Sequence, residues 1–289
     1  MTQFERMVMF LDRTYDLKNQ LVPCLVGPVG IGKTAAVMQH AENVGARQVV
    51  RIIASQVLPS EVSGITMPDE KTESMKIYDH YRLSHLEDGD ILFFDELLEA
   101  DQTVLSACLT LIEDRMMMSG RKLPDIQIIA ATNPTIIPTS LKENIRQRFM
   151  FLKVELDRNQ VAEFIQADTG LTLPDKVLDR LQCTGSGYNI LSPRSLTKLC
   201  RWVMATPEDD LKDVANFIDD MFDSFVGTEL VKLRKLQSRE LAKRHVREEA
   251  QKLMPDRDFD SCTFEELLEI LQSAPEWEQF KEHLENTEV

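Results

Sequence analysis

The sequence has 289 residues, of which 43% are hydrophobic, and a formal net charge of −15. That length suits a core domain with one or two smaller pieces, and the apolar content speaks against global disorder. The acidic balance argues against broad non-specific nucleic-acid binding, which needs a positive face, but it leaves room for a local basic patch.

Phe4, Met7, Val8, Phe10 and Leu11 recur at roughly helical spacing, which predicts a helix beside the first strand. The apolar run Leu21-Val22-Pro23-Cys24-Leu25-Val26 reads as that strand. It leads into Gly27-Pro28-Val29-Gly30-Ile31-Gly32-Lys33-Thr34, and then into a helical pattern with Val37, Met38, Ala41 and Val44, closed by Gly45. Strand, glycine loop and helix in this order form the context of a phosphate-binding P-loop. Its glycines let backbone N–H groups wrap a phosphate, and the helix N-terminus adds partial positive charge. In that role Lys33 reaches the β- and γ-phosphates of ATP and the Thr34 hydroxyl holds Mg²⁺.

Residues 48–53 are β-branched and predict a second strand. Residues 56–88 are less regular, with Leu58-Pro59-Ser60-Glu61-Val62-Ser63-Gly64 and a hairpin-like polar stretch over 69–76. Ile91-Leu92-Phe93-Phe94-Asp95-Glu96 is a Walker B pattern: a buried strand ending in two acids. Asp95 is expected to hold Mg²⁺ through water, with Thr34, and Glu96 to polarise the attacking water. Asp101 is the expected cap of a helix running to about residue 114. Met116-Met117-Met118 reads as core or interface filler, followed by a short hairpin turning at Gly120. Residues 125–131 predict another buried strand ending in Thr132-Asn133-Pro134, where the Asn133 amide can reach both γ-phosphate and water. A short helix over 141–148 and a last strand over 149–154 follow, with Arg146 and Arg148 just before that strand.

From Asp157 onward the pattern is helical. Asp157 can cap a segment that Gly170 ends, Pro174 precedes another, and Gly185-Ser186-Gly187 forms a loop. Ser192-Pro193-Arg194 opens a helix, with serine as N-cap and proline in its first turn. An amphipathic helix spans 211–225. Beyond Gly227, Lys232, Arg234, Lys235, Arg239, Lys243, Arg244 and Arg247 make a basic helical stretch: either a solvated or intersubunit helix, or a patch for nucleic acid or an acidic partner. Thr263-Phe264-Glu265-Glu266 and Ser273-Ala274-Pro275-Glu276 resemble capping boxes of two short helices. The five cysteines, Cys24, Cys108, Cys183, Cys200 and Cys262, show no CxxC or metal spacing and read as buried thiols of a reducing compartment. No apolar run approaches the about 18 residues of a membrane span, so a cytoplasmic protein with no membrane contact is expected.

The order of P-loop, Asp95-Glu96 strand, Asn133 strand, arginine-bearing helix and Ser192-Pro193-Arg194 helix resembles AAA+ ATPases over about residues 20–225. Within them the Leu58-Pro59-Ser60 segment, at the place of a helix-2 insert, together with Ser-Pro-Arg is similar to the MoxR family. The resemblance implies a five-stranded parallel sheet with helices on both faces over residues 1–155, with the insert at about 56–80. A small helical lid over 156–226 and a C-terminal helical extension over 227–289 complete the expected chain. It also implies that Asn133 is sensor 1, that Arg148 is the arginine finger serving a neighbouring subunit, and that Arg194 is sensor 2. Arg146 competes for the finger role. Leu97-Leu98-Glu99 departs from the family's Ile-Asn-Arg after the two acids. The expected function is Mg-ATP hydrolysis by a ring, typically hexameric, that remodels or assembles proteins as a chaperone, often with a von Willebrand A domain partner. Two other readings stand beside it: a nucleic-acid machine such as a helicase loader using the 232–247 stretch, and an ATP-dependent scaffold with little turnover.

Overall fold

The computed structural model describes residues 1–69, 73–133, 149–182, 190–222 and 224–253, together with Phe259, Glu266, Glu269 and Gln272. The predicted helix over 141–148, the Gly185-Ser186-Gly187 loop, Cys183, Cys262, Arg146, Arg148 and most of the expected C-terminal helices lie outside these residues. Contacts divide the chain into two compact units, residues 1–161 with 181–195, and residues 162–180 with 196–289.

The first unit opens with α1 (Gln3–Thr14), whose Thr2 and Glu5 form a reciprocal capping box absent from the sequence reading. Then come β1 (Val22–Val26), α2 (Lys33–Asn43), β2 (Val49–Ile53), α3 (Pro59–Ser63), β3 (Ile65–Asp69), β4 (Ser74–Tyr78), α4 (Tyr81–Ser84), β5 (Ile91–Asp95), α5 (Gln102–Asp114), β6 (Gln127–Thr132) and β7 (Phe149–Lys153). Five strands make one parallel sheet in the order β2-β5-β6-β1-β7, while β3 and β4 pair separately as an antiparallel hairpin.

Every residue of β1, β5 and β6 is buried, because helices cover both faces of the sheet. Alternate side chains sort to opposite sides. Cys24, Leu92, Phe94, Ile128 and Ala130 share a cluster with Val104, Cys108, Leu111 and Ile112 of α5. Leu25, Ile91, Phe93, Ile129 and Ala131 share the other with Met7 and Leu11 of α1 and Ala36 and Val37 of α2. His40 is fully buried, within hydrogen-bonding distance of Asp12 Oδ1 and Gln127 Oε1, both at 2.6 Å, and so links α1, α2 and β6.

Asp101 stands at the cap position of α5, but its side chain makes no capping hydrogen bond. In the methionine run only Met117 enters the core, while Met116 and Met118 are exposed. Gly120 adopts φ +86° in the turn joining the bridged Met116 and Lys122. The hairpin exposes Ile65, Met67, Met75 and Tyr78.

Three further helices follow: α6 (Arg158–Thr169), with Asn159 and Gln160 backbone amides donating to Asp157 Oδ1, α7 (Asp175–Leu178) and α8 (Pro193–Ala205). In the second unit α9 (Leu211–Phe222) stops three residues short of the expected end, and α10 (Val226–Leu253) carries the whole basic stretch. Asp219 accepts from the backbone amides of Gly227 and Thr228 and so fixes the start of α10. A Cβ at Gly227 would lie 2.8 Å from Ile218 Cβ, so the two helices approach closely there. Arg234 donates to Val203 O at 2.5 Å and to Thr206 O, closing the C-terminal end of α8. Among the described residues Cys24, Cys108 and Cys200 are free and buried, with burial pushing the Cys108 and Cys200 thiols up to about 12. No described helix is long and apolar enough to cross a membrane.

Candidate functional site

β1 lies between β6 and β7, so the strand that follows β1 in the chain and the strand that follows β6 lie on opposite sides of β1 in the sheet order. A crevice at the carboxyl ends of the strands follows from that reversal. The loop from Gly27 to Gly32 fills its floor. Gly30 and Gly32 have φ of +84° and +94°, conformations that side chains with a Cβ rarely adopt. Gly32 caps α2 without a side-chain hydrogen bond, which leaves the first N–H groups of the helix to a ligand. The Gly27 amide donates to Thr132 O at 3.1 Å and anchors the loop to the end of β6. Val29 is exposed at the rim, while Ile31 packs on the α1–α2 side of the core. Pro28 contributes its carbonyl.

The Lys33 ammonium donates to the carbonyls of Gly27 and, at 2.9 Å, Pro28, and reaches Asn133 Oδ1 at 3.4 Å. Burial lowers its pKa, an effect opposed by the nearby carboxylates of Asp95 and Glu99. Thr34 Oγ1 donates to Asp95 Oδ2 at 3.2 Å. A hydroxyl and a carboxylate this close are hard oxygen donors, and they fit Mg²⁺. Glu96 follows directly with φ +54°, a left-handed conformation that strains a non-glycine residue and that clusters at functional sites. Ser55 Oγ donates to its carboxylate.

Arg194 belongs to the start of α8. Ser192 and Ser195 cap that start reciprocally, with the Ser195 amide donating to Ser192 Oγ at 3.1 Å and the Ser192 amide to Ser195 Oγ at 2.8 Å. This seats the Arg194 backbone against the P-loop, so that a Cβ on Gly30 would lie 3.2 Å from both Arg194 N and Cβ. One cleft is lined by Gly30, Lys33, Thr34, Asp95, Glu96, Asn133 and Arg194. Arg148, its rival Arg146 and Pro134 lie outside the described residues.

Two participants escaped the sequence reading. Arg51 of β2 donates from Nε and Nη2 to Asp95 Oδ2 at 3.0 and 2.5 Å. Glu99 accepts from the Asn133 amide at 2.7 Å and from Thr132 Oγ1 at 3.3 Å, and so fixes the strand tip that presents the Asn133 amide group. Each had a signal: a lone charge in an apolar strand, and a carboxylate where the resembling family has arginine. No group of three or more His, Cys, Asp or Glu side chains placed to hold a metal occurs among the described residues.

Residues 23–149 match the family model described as AAA domain, dynein-related subfamily. The chain is 27% identical over 217 residues to midasin of Giardia intestinalis, an alignment that takes in 66% of this chain and spans 4% of that protein's length. Among solved structures, the RuvB Holliday junction branch migration motor of Thermotoga maritima is 19% identical, with a TM-score of 0.46 over 80% of this chain and 68% of that one. A variant of the same motor is 18% identical, with a TM-score of 0.49 over 100% of this chain and 97% of that one.

Proposed function

We propose that the chain is an AAA+ ATPase that hydrolyses ATP between its own catalytic side chains and an arginine from a neighbouring copy. The observation that carries this is the convergence of Lys33, Thr34, Asp95, Glu96 and Asn133 on one cleft, at the ends of three adjacent strands and the start of α2. The family match over residues 23–149 covers that whole set. Bound Mg²⁺, held by Thr34 and Asp95, would neutralise phosphate charge. The loop amides and Lys33 bind the phosphates, Glu96 takes the proton of the attacking water, and Asn133 orients that water. Arg194 approaches the γ-phosphate from the start of α8, and Arg148 serves the adjoining subunit.

The finer reading is a MoxR-type ring that remodels protein clients: its support is the Leu58-Pro59-Ser60 insert, the exposed β3–β4 hairpin and the Ser-Pro-Arg helix. A hexamer and a von Willebrand A domain partner belong to that reading. The nucleic-acid alternative draws on the basic stretch, where Arg234 is taken up by the carbonyls of Val203 and Thr206 and Lys243 and Arg244 pair with Glu240 and Glu248. A scaffold with little turnover conflicts with a complete set of hydrolytic side chains.

Phosphate release measured against protein concentration, with mass determined in parallel, tests the ring. The rate per subunit is expected to rise with assembly and to fall about 10³-fold in Arg148→Ala while ATP still binds. A concentration-independent rate unaffected by the substitution would remove the trans-acting arginine. Glu99→Ala should lower kcat roughly tenfold with nucleotide affinity within about threefold, since it frees the Asn133 strand tip, while its hydrogen bonds go to Thr132 and Asn133 and its effect on Lys33 is only through charge. Equal losses in kcat and in binding would mean that Glu99 supports the whole loop instead.

A further inference from the structure

Asp95 Oδ2 is crowded. Arg51 Nε and Nη2 donate to it at 3.0 and 2.5 Å, and Thr34 Oγ1 donates to the same atom at 3.2 Å. Asp95 Oδ1 accepts from the Glu96 amide at 3.1 Å. Three donors therefore converge on the oxygen that faces Thr34, although a carboxylate oxygen has two lone-pair directions. A divalent cation held by Thr34 and Asp95, directly or through a bound water, approaches that oxygen from the Thr34 side and there competes with the guanidinium.

We propose that Arg51 is a resident counter-ion of Asp95, displaced when a divalent cation enters with the nucleotide. The proposal rests on the nucleotide reading above and adds a residue that sets its cation requirement. Strand register produces the arrangement. Arg51 pairs with Phe93 and Ile53 with Asp95, so Arg51 lies one diagonal step from Asp95 on the neighbouring strand, on the sheet face that carries α2. The rest of β2 is Val49, Val50, Ile52 and Ile53, so nothing else on it can answer a charge.

Burial makes the exchange asymmetric. The Asp95 side chain is 8% exposed and that of Arg51 42%. A carboxylate that buried is costly to leave without a partner, so the cation-free site needs its counter-ion. The guanidinium, once displaced, turns into water without stranding a charge. Its planar fork supplies two donors at once, which a lysine ammonium cannot reproduce in the same geometry.

The test is equilibrium binding of a fluorescent non-hydrolysable ATP analogue to the full chain, first in EDTA and then over a Mg²⁺ titration. In Arg51→Gln the half-saturating Mg²⁺ concentration is expected to fall roughly three- to tenfold, and Mg²⁺-free affinity to weaken as Asp95 repels the phosphates unscreened. Arg51→Lys should fall between wild type and Arg51→Gln, and it decides the matter where the glutamine variant does not fold by circular dichroism. A Mg²⁺ midpoint unchanged or raised in the folded variants, with nucleotide still binding, overturns the counter-ion role alone and marks a purely structural ion pair. Absence of nucleotide binding by the wild-type chain with and without Mg²⁺ overturns the nucleotide reading, and this proposal with it.

Discussion

Replacing Glu96 by glutamine is expected to lower ATP turnover about 100-fold or more while leaving nucleotide affinity within about threefold. The substitution is nearly isosteric, and the amide can still accept from Ser55 Oγ, so the side chain should keep its place. It loses the ability to take a proton from water. A hundredfold loss corresponds to about 2.7 kcal/mol of transition-state stabilisation, within the range for removal of one acid–base group. The backbone at Glu96 gives a second reason to expect catalysis here. Its φ of +54° places a non-glycine residue in left-handed space immediately after a fully buried strand. Such strain persists where the surroundings hold it and where a side chain must be aimed. Phosphate release and equilibrium binding measured on one preparation separate the two effects. Undiminished turnover would remove Glu96 from the reaction and leave a nucleotide-binding protein whose base lies elsewhere.

The phosphate loop and the strands were legible because local rules write them. Fully buried parallel strands read as unbroken apolar runs, which is why β1, β5 and β6 stand out, and the loop pattern between β1 and α2 has few other physical uses. Ser192 and Asp157 were readable as caps because capping is decided within three residues. Asp101 shows the limit of that rule: it occupies the cap position of α5, and its side chain makes no capping bond. What stayed hidden depends on strand order. Arg51 meets Asp95 only because β2 lies beside β5, a pairing that sequence spacing does not encode. Glu99 and Asn133 are separated by 34 residues and meet because β5 and β6 are neighbours. The helical reading of 211–225 ran past Phe222, since no proline or glycine stands between that residue and the start of α10.

Two alanine substitutions in the phosphate loop should separate backbone strain from steric exclusion, with Gly30→Ala the more damaging. Both glycines are left-handed, at φ +84° and +94°, so each substitution incurs about 1–2 kcal/mol of conformational strain. Their surroundings differ. The nearest atom to a Cβ at Gly32 is Phe4 Cδ2 at 3.6 Å, an ordinary van der Waals contact. A Cβ at Gly30 would stand 3.2 Å from Arg194 N and Cβ, part of a helix start held by the reciprocal Ser192–Ser195 bonds. Relief requires moving either that cap or the loop, and overpacking of this kind adds about 1–3 kcal/mol. Gly30→Ala is therefore expected to weaken ATP-analogue binding about 100-fold or more and to lower Tm by several degrees beyond Gly32→Ala, whose binding loss should stay near tenfold. Thermal unfolding and equilibrium binding on the two variants check this. If the excess comes from the helix start, then Ser192→Ala, which loosens it, should cost less in the Gly30→Ala background than in wild type. Equal damage from the two glycine substitutions, or strict additivity with Ser192→Ala, would mean that the start of α8 yields and does not limit the loop.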